Sequence, residues 1–164
     1  MDMIRIVKNV LFVVALIFCI ACRKNVDLKY VTYELDTLSE VNVLDFDSLS
    51  GSDHEMIQLA INYASDNGKD VVFVPAGIYE IDAAGVNGER GIALKNGLTL
   101  KLHENAVLKA IPNNSAGYSI IRVHNVSNVK ITGGTIEGDR KTHLGTTGEW
   151  GMGIEVKTSS NVEI

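Results

Sequence analysis

From residue 70 onward, apolar and polar positions alternate in short runs separated by Gly, Asn, Pro and Ser, the pattern of half-buried strands joined by tight turns. One segment comes round three times. Gly91-Ile-Ala-Leu-Lys-Asn-Gly-Leu-Thr-Leu100 returns as Ser119-Ile-Ile-Arg-Val-His-Asn-Val-Ser-Asn-Val-Lys-Ile131, and again as Gly153-Ile-Glu-Val-Lys-Thr-Ser-Ser-Asn-Val-Glu-Ile164. Ile92, Ile121 and Ile154 open the copies, which lie 29 and 33 residues apart; Leu94, Val123 and Val156 follow, and Leu98, Val129 and Val162 start a second run. Repeats of this length built from strands predict a solenoid in which each turn stacks on the last. Further short strands are predicted at 71–74, 78–81, 106–111 and 135–137, giving about three strands per coil. An antiparallel sandwich would explain the alternation but not the recurrence.

A helix is predicted just before the strands. Ser52 stands three residues ahead of Glu55, the spacing of a capping box, and Asp53 adds negative charge to the first turn. Met56, Leu59, Ala60 and Tyr63 fall on one face, broadened by Ile57, Ile61 and Ala64, and Asn67-Gly68 supplies the stop. Such a helix would cover the apolar end of the first coil. Residues 22–50 carry few turn signals and read as a tether leading into a loosely paired strand.

Arg5 and Lys8 precede a twelve-residue uncharged run at 10–21, followed by Cys22. A basic start, a short apolar stretch and small residues before a cut predict a secretory signal; the run is well short of the roughly 20 residues that span a bilayer as a helix. The Cys-Ile-Ala-Cys tetrad at 19–22 resembles a bacterial lipoprotein signal, with Cys19 where leucine is usual. That resemblance implies lipidation at Cys22, anchorage to a membrane, and an exported cell-envelope lipoprotein, at the outer membrane or cell surface. The alternative is an ordinary secreted protein cut nearby. Loss of residues 1–21 would leave 13 basic against 19 acidic residues, a net charge of −6. That balance argues against nucleic acid as a partner. No cysteine follows Cys22, so no disulfide can staple the mature chain.

Candidate chemistry concentrates where the strand pattern fails. Residues 112–118 form a short loop, and 138–152 a long glycine-rich one carrying Asp139, Arg140, His143, Glu149 and the only tryptophan, Trp150. Asp139, Arg140, His143 and Glu149 are the candidate catalytic residues, since carboxylates and a histidine do acid–base work. Arg140, His143 and Trp150 are the candidate substrate contacts: a guanidinium for an anionic group, an imidazole, and a flat apolar face for a sugar ring. Each has a structural alternative. Asp139 could cap a turn, Arg140 could brace the loop against Asp139 or Glu149, and Trp150 could tuck into the core wall. His103 and His124 sit outward beside strands and read as solvated surface; His54 in the helix's first turn carries no functional signal. Histidines 103, 124 and 143 fall on different coils, so no metal site is predicted from spacing.

Asp53-His-Glu-Met-Ile-Gln-Leu-Ala-Ile-Asn62, followed by Gly68-Lys-Asp-Val-Val-Phe-Val-Pro-Ala-Gly-Ile-Tyr79, resembles the opening segment of the pectate-lyase-like superfamily, and more narrowly its rhamnogalacturonase and mannuronan-epimerase type domains. Gly133-Gly-Thr-Ile-Glu-Gly-Asp-Arg140 fits as well, and the likeness covers residues 52–164. It implies an all-β fold, a right-handed parallel β-helix with an N-terminal capping helix, and a polysaccharide, often uronic-acid-containing, as substrate or ligand. It implies a lyase or epimerase sooner than a hydrolase, and leaves open a divalent cation such as calcium, for which no ligand set is identified. No catalytic motif of those enzymes is matched here. The chain stops inside a strand of the third copy, so the expectation is the front coils of a solenoid truncated at its C-terminus. The other readings are a non-catalytic carbohydrate-binding or scaffold β-helix, or an inactive truncated fragment.

Overall fold

The computed structural model describes residues 40–87 and 90–164. The expected signal at 1–21, the lipidation site Cys22 and most of the tether lie outside the described residues. Eleven strands occur among those described: β1 (Val41–Asn42), β2 (Val71–Val74), β3 (Gly77–Ile81), β4 (Ile92–Ala93), β5 (Thr99–Leu102), β6 (Ala106–Ala110), β7 (Gly117–His124), β8 (Ser127–Thr132), β9 (Thr135–Glu137), β10 (Trp150–Lys157) and β11 (Ser160–Glu163). One α-helix, α1 (Asp53–Asp66), precedes β2.

The strands form three sheets, ordered β1-β2-β5-β8-β11, β3-β6-β9 and β4-β7-β10. Every pairing is parallel. From β2 the chain visits the three sheets in turn, and each circuit adds one strand to each sheet. Apolar residues therefore stack in rows. Val72 pairs with Leu100 and Leu100 with Ile131; Tyr79 pairs with Leu108 and Leu108 with Ile136; Ile92 and Ile154 both pair with Ile121. Each fully buried aliphatic side chain in such a row stabilises the fold by roughly 1.5–3 kcal/mol.

Local chemistry explains the start of the stack. The Ser52 side chain accepts from the Glu55 N–H at 3.0 Å, and Glu55 Oε2 accepts from the Gly51 N–H at 2.6 Å, a reciprocal N-terminal cap. Ile57, Ile61 and Ala64 are fully buried with Met56 and Ala60, whereas Leu59 and Tyr63 lie at the margin of the buried face. The helix packs against β1, β2, β3 and β4, strands drawn from all three sheets. Its Gln58 amide accepts from Ala93 N–H (2.8 Å) and donates to Ala93 O (3.1 Å), satisfying the backbone of the short strand β4 as another strand would. In the Pro-Ala-Gly-x-Tyr element the Tyr79 hydroxyl donates back to Pro75 O at 3.1 Å.

Of the stretch 22–50 expected as a tether, the described residues 41–49 pack on the first coil. β1 pairs with β2, and a 3-10 segment, Val43–Leu49, follows with Val43 and Phe46 buried. Phe46 lies 5.6 Å from the Tyr63 ring, so 41–49 are held by apolar contact with α1. The third and second repeats also begin as strands earlier than their recurring segments, at Trp150 and Gly117.

Candidate functional site

The long loop folds around a buried carboxylate. Asp139 Oδ2 accepts from the Asn113 N–H (3.0 Å), from Asn113 Nδ2 (2.8 Å) and from His143 Nδ1 (2.9 Å). Oδ1 accepts from the Tyr118 hydroxyl at 2.7 Å, and that hydroxyl accepts in turn from the Asp139 N–H. Burial alone would raise the pKa of Asp139, but the hydrogen bonds from Tyr118, His143 and Asn113 outweigh it and hold the carboxyl below its usual range. Burial and the bond to Asp139 push the Tyr118 phenol up, so it remains a donor.

His143 is thus a brace. Only 11% of its side chain is exposed. Nδ1–H is directed at Asp139, and Nε2 is buried without a hydrogen-bond partner among the described residues. It lies against Gly145 and Gly148, where a Cβ would come within 3.0 and 2.9 Å. The loop brings Asp139 and His143 together; Arg140 and Glu149 are exposed and neither meets Asp139. Trp150 does not tuck into the core: it is 68% exposed.

Trp150 instead lines a cleft of about 470 Å³ on the outer face of the β4-β7-β10 sheet. Parallel register sets its floor. Gly117 pairs with Trp150, Ser119 with Met152, Arg122 with Glu155 and His124 with Lys157. Arg122, His124, Glu155 and Lys157 alternate with the core-facing Ile121, Val123 and Ile154; the adjacent buried pair Ile120 and Ile121 breaks that alternation, and Gly117, Ser119, Trp150 and Met152 line the cleft from before the break. The remaining wall is Ala83, Ala84 and Arg90. Buried Asp82 holds that wall: its carboxylate accepts from the N–H groups of Gly85 (2.8 Å), Val86 (2.8 Å) and Asn87 (2.6 Å), and its carbonyl accepts from Gly91 N–H. Gly91 is required there, at φ +65°, where a Cβ would lie 2.0 Å from Ser119 O.

Glu155 is the one carboxylate among the described residues lining the cleft. It bonds Lys157 Nζ through Oε1 and accepts from Ser119 Oγ at 2.9 Å through Oε2. His124 Nε2 lies 2.8 Å from Oε2, an ion-pair distance that lacks hydrogen-bond alignment. Lys157 above all, with Ser119 and His124, holds the Glu155 carboxyl below its usual range, so it stays ionised and locally neutralised. Ser119 and His124 both address this one carboxylate and not each other, which is not the arrangement of an activated serine nucleophile. Arg122 donates weakly to Gly91 O at 3.4 Å, and Arg90 is exposed at the rim.

Tyr118, Ser119, Arg122, His124, Glu155 and Lys157 were not among the sequence-predicted site residues, and His124 read as solvated surface. A signal existed. Aligned by their isoleucines, the second and third copies place Arg122 over Glu155 and His124 over Lys157, so outward ionisable residues must stack on one face. Among the described residues no group of three His, Cys, Asp or Glu side chains gathers as a metal cluster, and no helix is long and apolar enough to cross a membrane.

No family model matches the chain. It is 35% identical over 122 residues to the uncharacterized protein YclG of Bacillus subtilis, and 38% identical over 118 residues to the SPbeta prophage-derived uncharacterized protein YorA of the same organism. These matches cover 67% and 64% of this chain but 21% and 20% of those proteins, so the chain spans about a fifth of the length of the curated relatives it matches. In fold it is similar to a Parabacteroides merdae protein titled as a candidate glycosyl hydrolase, with a TM-score of 0.53 and 20% identity, over 76% of this chain and 63% of that one. It is also similar to the A-module of the mannuronan C-5 epimerase AlgE4 of Azotobacter vinelandii, with a TM-score of 0.50 and 25% identity, over 75% of this chain and 41% of that one. The chain is mostly β, built of parallel sheets, and shares its fold with neighbours of the carbohydrate-active β-helix type.

Proposed function

We propose that the chain is part of an exported, polysaccharide-active protein folded as a right-handed parallel β-helix, and that the outer face of β4-β7-β10 is its glycan-binding cleft for a uronic-acid polysaccharide. One observation carries the reading: Arg90, Arg122 and Lys157 share a cleft with an exposed tryptophan, and its single carboxylate is already neutralised by Lys157. Cations meet the sugar's carboxylates, and the indole offers an apolar face to the ring. A lone carboxylate also favours lyase or epimerase chemistry over hydrolysis, which in most glycosidases needs a pair of Asp or Glu residues flanking the bond. A second reading, binding without turnover, is favoured by the engagement of Ser119 and His124 with Glu155.

Calorimetric titration of the full chain tests this with polygalacturonate, alginate and a neutral glucan at matched ionic strength. The acidic polymers bind and the neutral one does not. Arg90→Ala weakens binding about fivefold, and Trp150→Ala about five- to tenfold, with melting temperatures unchanged. Equal affinity for the neutral polymer, or unchanged binding by both variants, would refute the reading.

The lipid anchor belongs to the same proposal and rests on the Cys-Ile-Ala-Cys tetrad. Cys22→Ser is expected to move the full-length protein from the membrane fraction to the soluble exported fraction; unchanged membrane retention counts against lipidation.

A further inference from the structure

The cleft is not uniform along its length. Its aromatic contact, Trp150, stands at the start of β10, and its ammonium group, Lys157, at the end of the same strand. Seven residue steps separate them, about 23 Å of extended backbone. Arg122, His124 and Glu155 cluster at the Lys157 end, while Gly117, Tyr118 and Met152 surround the tryptophan. The two ends therefore offer different chemistry: a flat apolar surface at one, and positive charge at the other.

Across the strands the situation differs. β4 is two residues long beside the eight of β7. The space next to the first half of β7 is taken by Ala83, Ala84 and Arg90, whose loop is tied down by the buried Asp82 carboxylate. A polymer crossing from β10 over β7 toward β4 meets this wall. A polymer running along β7 and β10 does not.

We infer that the glycan lies parallel to the strands of the β4-β7-β10 sheet, with one sugar stacked on Trp150 and a carboxylate of a later sugar held by Lys157 and Arg122. This rests on the cleft being the glycan site, and adds its direction and extent. We take each sugar of a linear chain to advance by about one inter-strand spacing, roughly 4.8 Å. The distance from Trp150 to Lys157 then corresponds to a tetra- or pentasaccharide. Gly117 suits the stacking end: with no side chain opposite Trp150, where a Cβ would already lie 3.2 Å from Trp150 Cβ, it leaves the indole face uncovered. Binding is thus directional. The acidic group is recognised by charge at one end only, and the sugars between the ends pass over Met152, which carries no charge.

The single tryptophan makes the inference measurable, because intrinsic fluorescence reports on Trp150 alone. The full chain is titrated with oligogalacturonates and oligomannuronates from dimer to octamer. Affinity is expected to climb to the tetramer or pentamer and then level off, with the fluorescence change reaching its full size at the same length. Lys157→Ala should cut pentamer affinity about fivefold while leaving the fluorescence amplitude at saturation intact. Trp150→Ala, followed by calorimetry, should flatten the length dependence and leave dimers bound as before. Affinity that already levels off at the dimer or trimer would mean a path across the three strands, which span only two inter-strand spacings, and overturn the inference while sparing the site; a gain continuing through hexamer and octamer would overturn the proposed extent. Binding of no oligomer at any length would remove the site reading itself, and the inference with it. A Lys157→Ala variant that loses the fluorescence change would show that the two ends are not separate contacts, which also overturns it.

Discussion

A carboxylate buried as deeply as Asp139 is tolerated only because each oxygen is hydrogen-bonded, and the donors come from three places: Asn113, Tyr118 and His143. Removing the side chain strands several donors at once. Asp139→Ala is expected to destabilise the chain by about 3 kcal/mol in urea unfolding at neutral pH. The pH dependence follows from the direction of its shift. Its folded pKa lies below the ordinary carboxyl range. The group therefore contributes stability that is present above that range, near pH 4, and is lost as pH falls through the lower folded value. The stability gap between the wild-type chain and Asp139→Asn should accordingly be widest at neutral pH and close on acidification. A gap that stays constant from neutral pH into acid would show that the carboxylate charge is not what holds the loop. At this scale the sequence was partly legible. Asp139 and His143 stood out as ionisable residues on a long loop, but their distance of four residues does not say whether they turn toward solvent or inward. Tyr118 and Asn113, more than twenty residues away, decide that.

At the scale of elements, recurrence in the sequence translated directly into register. Ile92, Ile121 and Ile154 were aligned by pattern, and they pair in space; so do Val129 and Val162. The reason is physical: a row of buried side chains has one residue per circuit, so a register slip would turn a strand's apolar set to solvent. The connections from β7 to β8 and from β10 to β11, and the first residues of the strands that follow, are equally regular. Asn125 and Thr158 take φ of 55° and 50°, and Asn128 and Asn161 take 57° and 53°. Asparagine tolerates this left-handed conformation, and Asn161 Nδ2 donates to Asn128 Oδ1 at 2.7 Å. Thr158 is the strained member of the set, being β-branched. What pattern could not give was the fate of residues 41–49. They have no periodicity of their own, and their place depends on Phe46 finding Tyr63 and on β1 adding to β2. The helix face was read too wide on one side: Met56, Ile57, Ala60, Ile61 and Ala64 are buried as expected, and Leu59 and Tyr63 lie at the margin. With Ile57 and Ile61 buried, Gln58 between them reaches the Ala93 backbone.

For the molecule as a whole, the cleft is a property of stacking. None of Arg122, His124, Glu155 or Lys157 is near another of a different repeat in sequence; Arg122 and Glu155 are 33 residues apart. They meet because parallel pairing places successive repeats about 4.8 Å apart on one face. The chain carries a net charge of −5, so attraction of an acidic polymer must be local to this face and cannot come from the overall field. The loop that attracted attention in the sequence gives the site Trp150 and Met152 and otherwise supports it: its Asp139 bonds Tyr118, one residue before the strand position that pairs with Met152. The central claim is that an acidic glycan binds on this face. A crystal structure of the full chain grown with an oligouronate tests it most directly. The account predicts sugar density against Trp150, continuing along β7 and β10, with a carboxylate within hydrogen-bond reach of Lys157 or Arg122. Ordered sugar on either of the other two sheets, with the cleft beside Trp150 occupied by solvent alone, would contradict it.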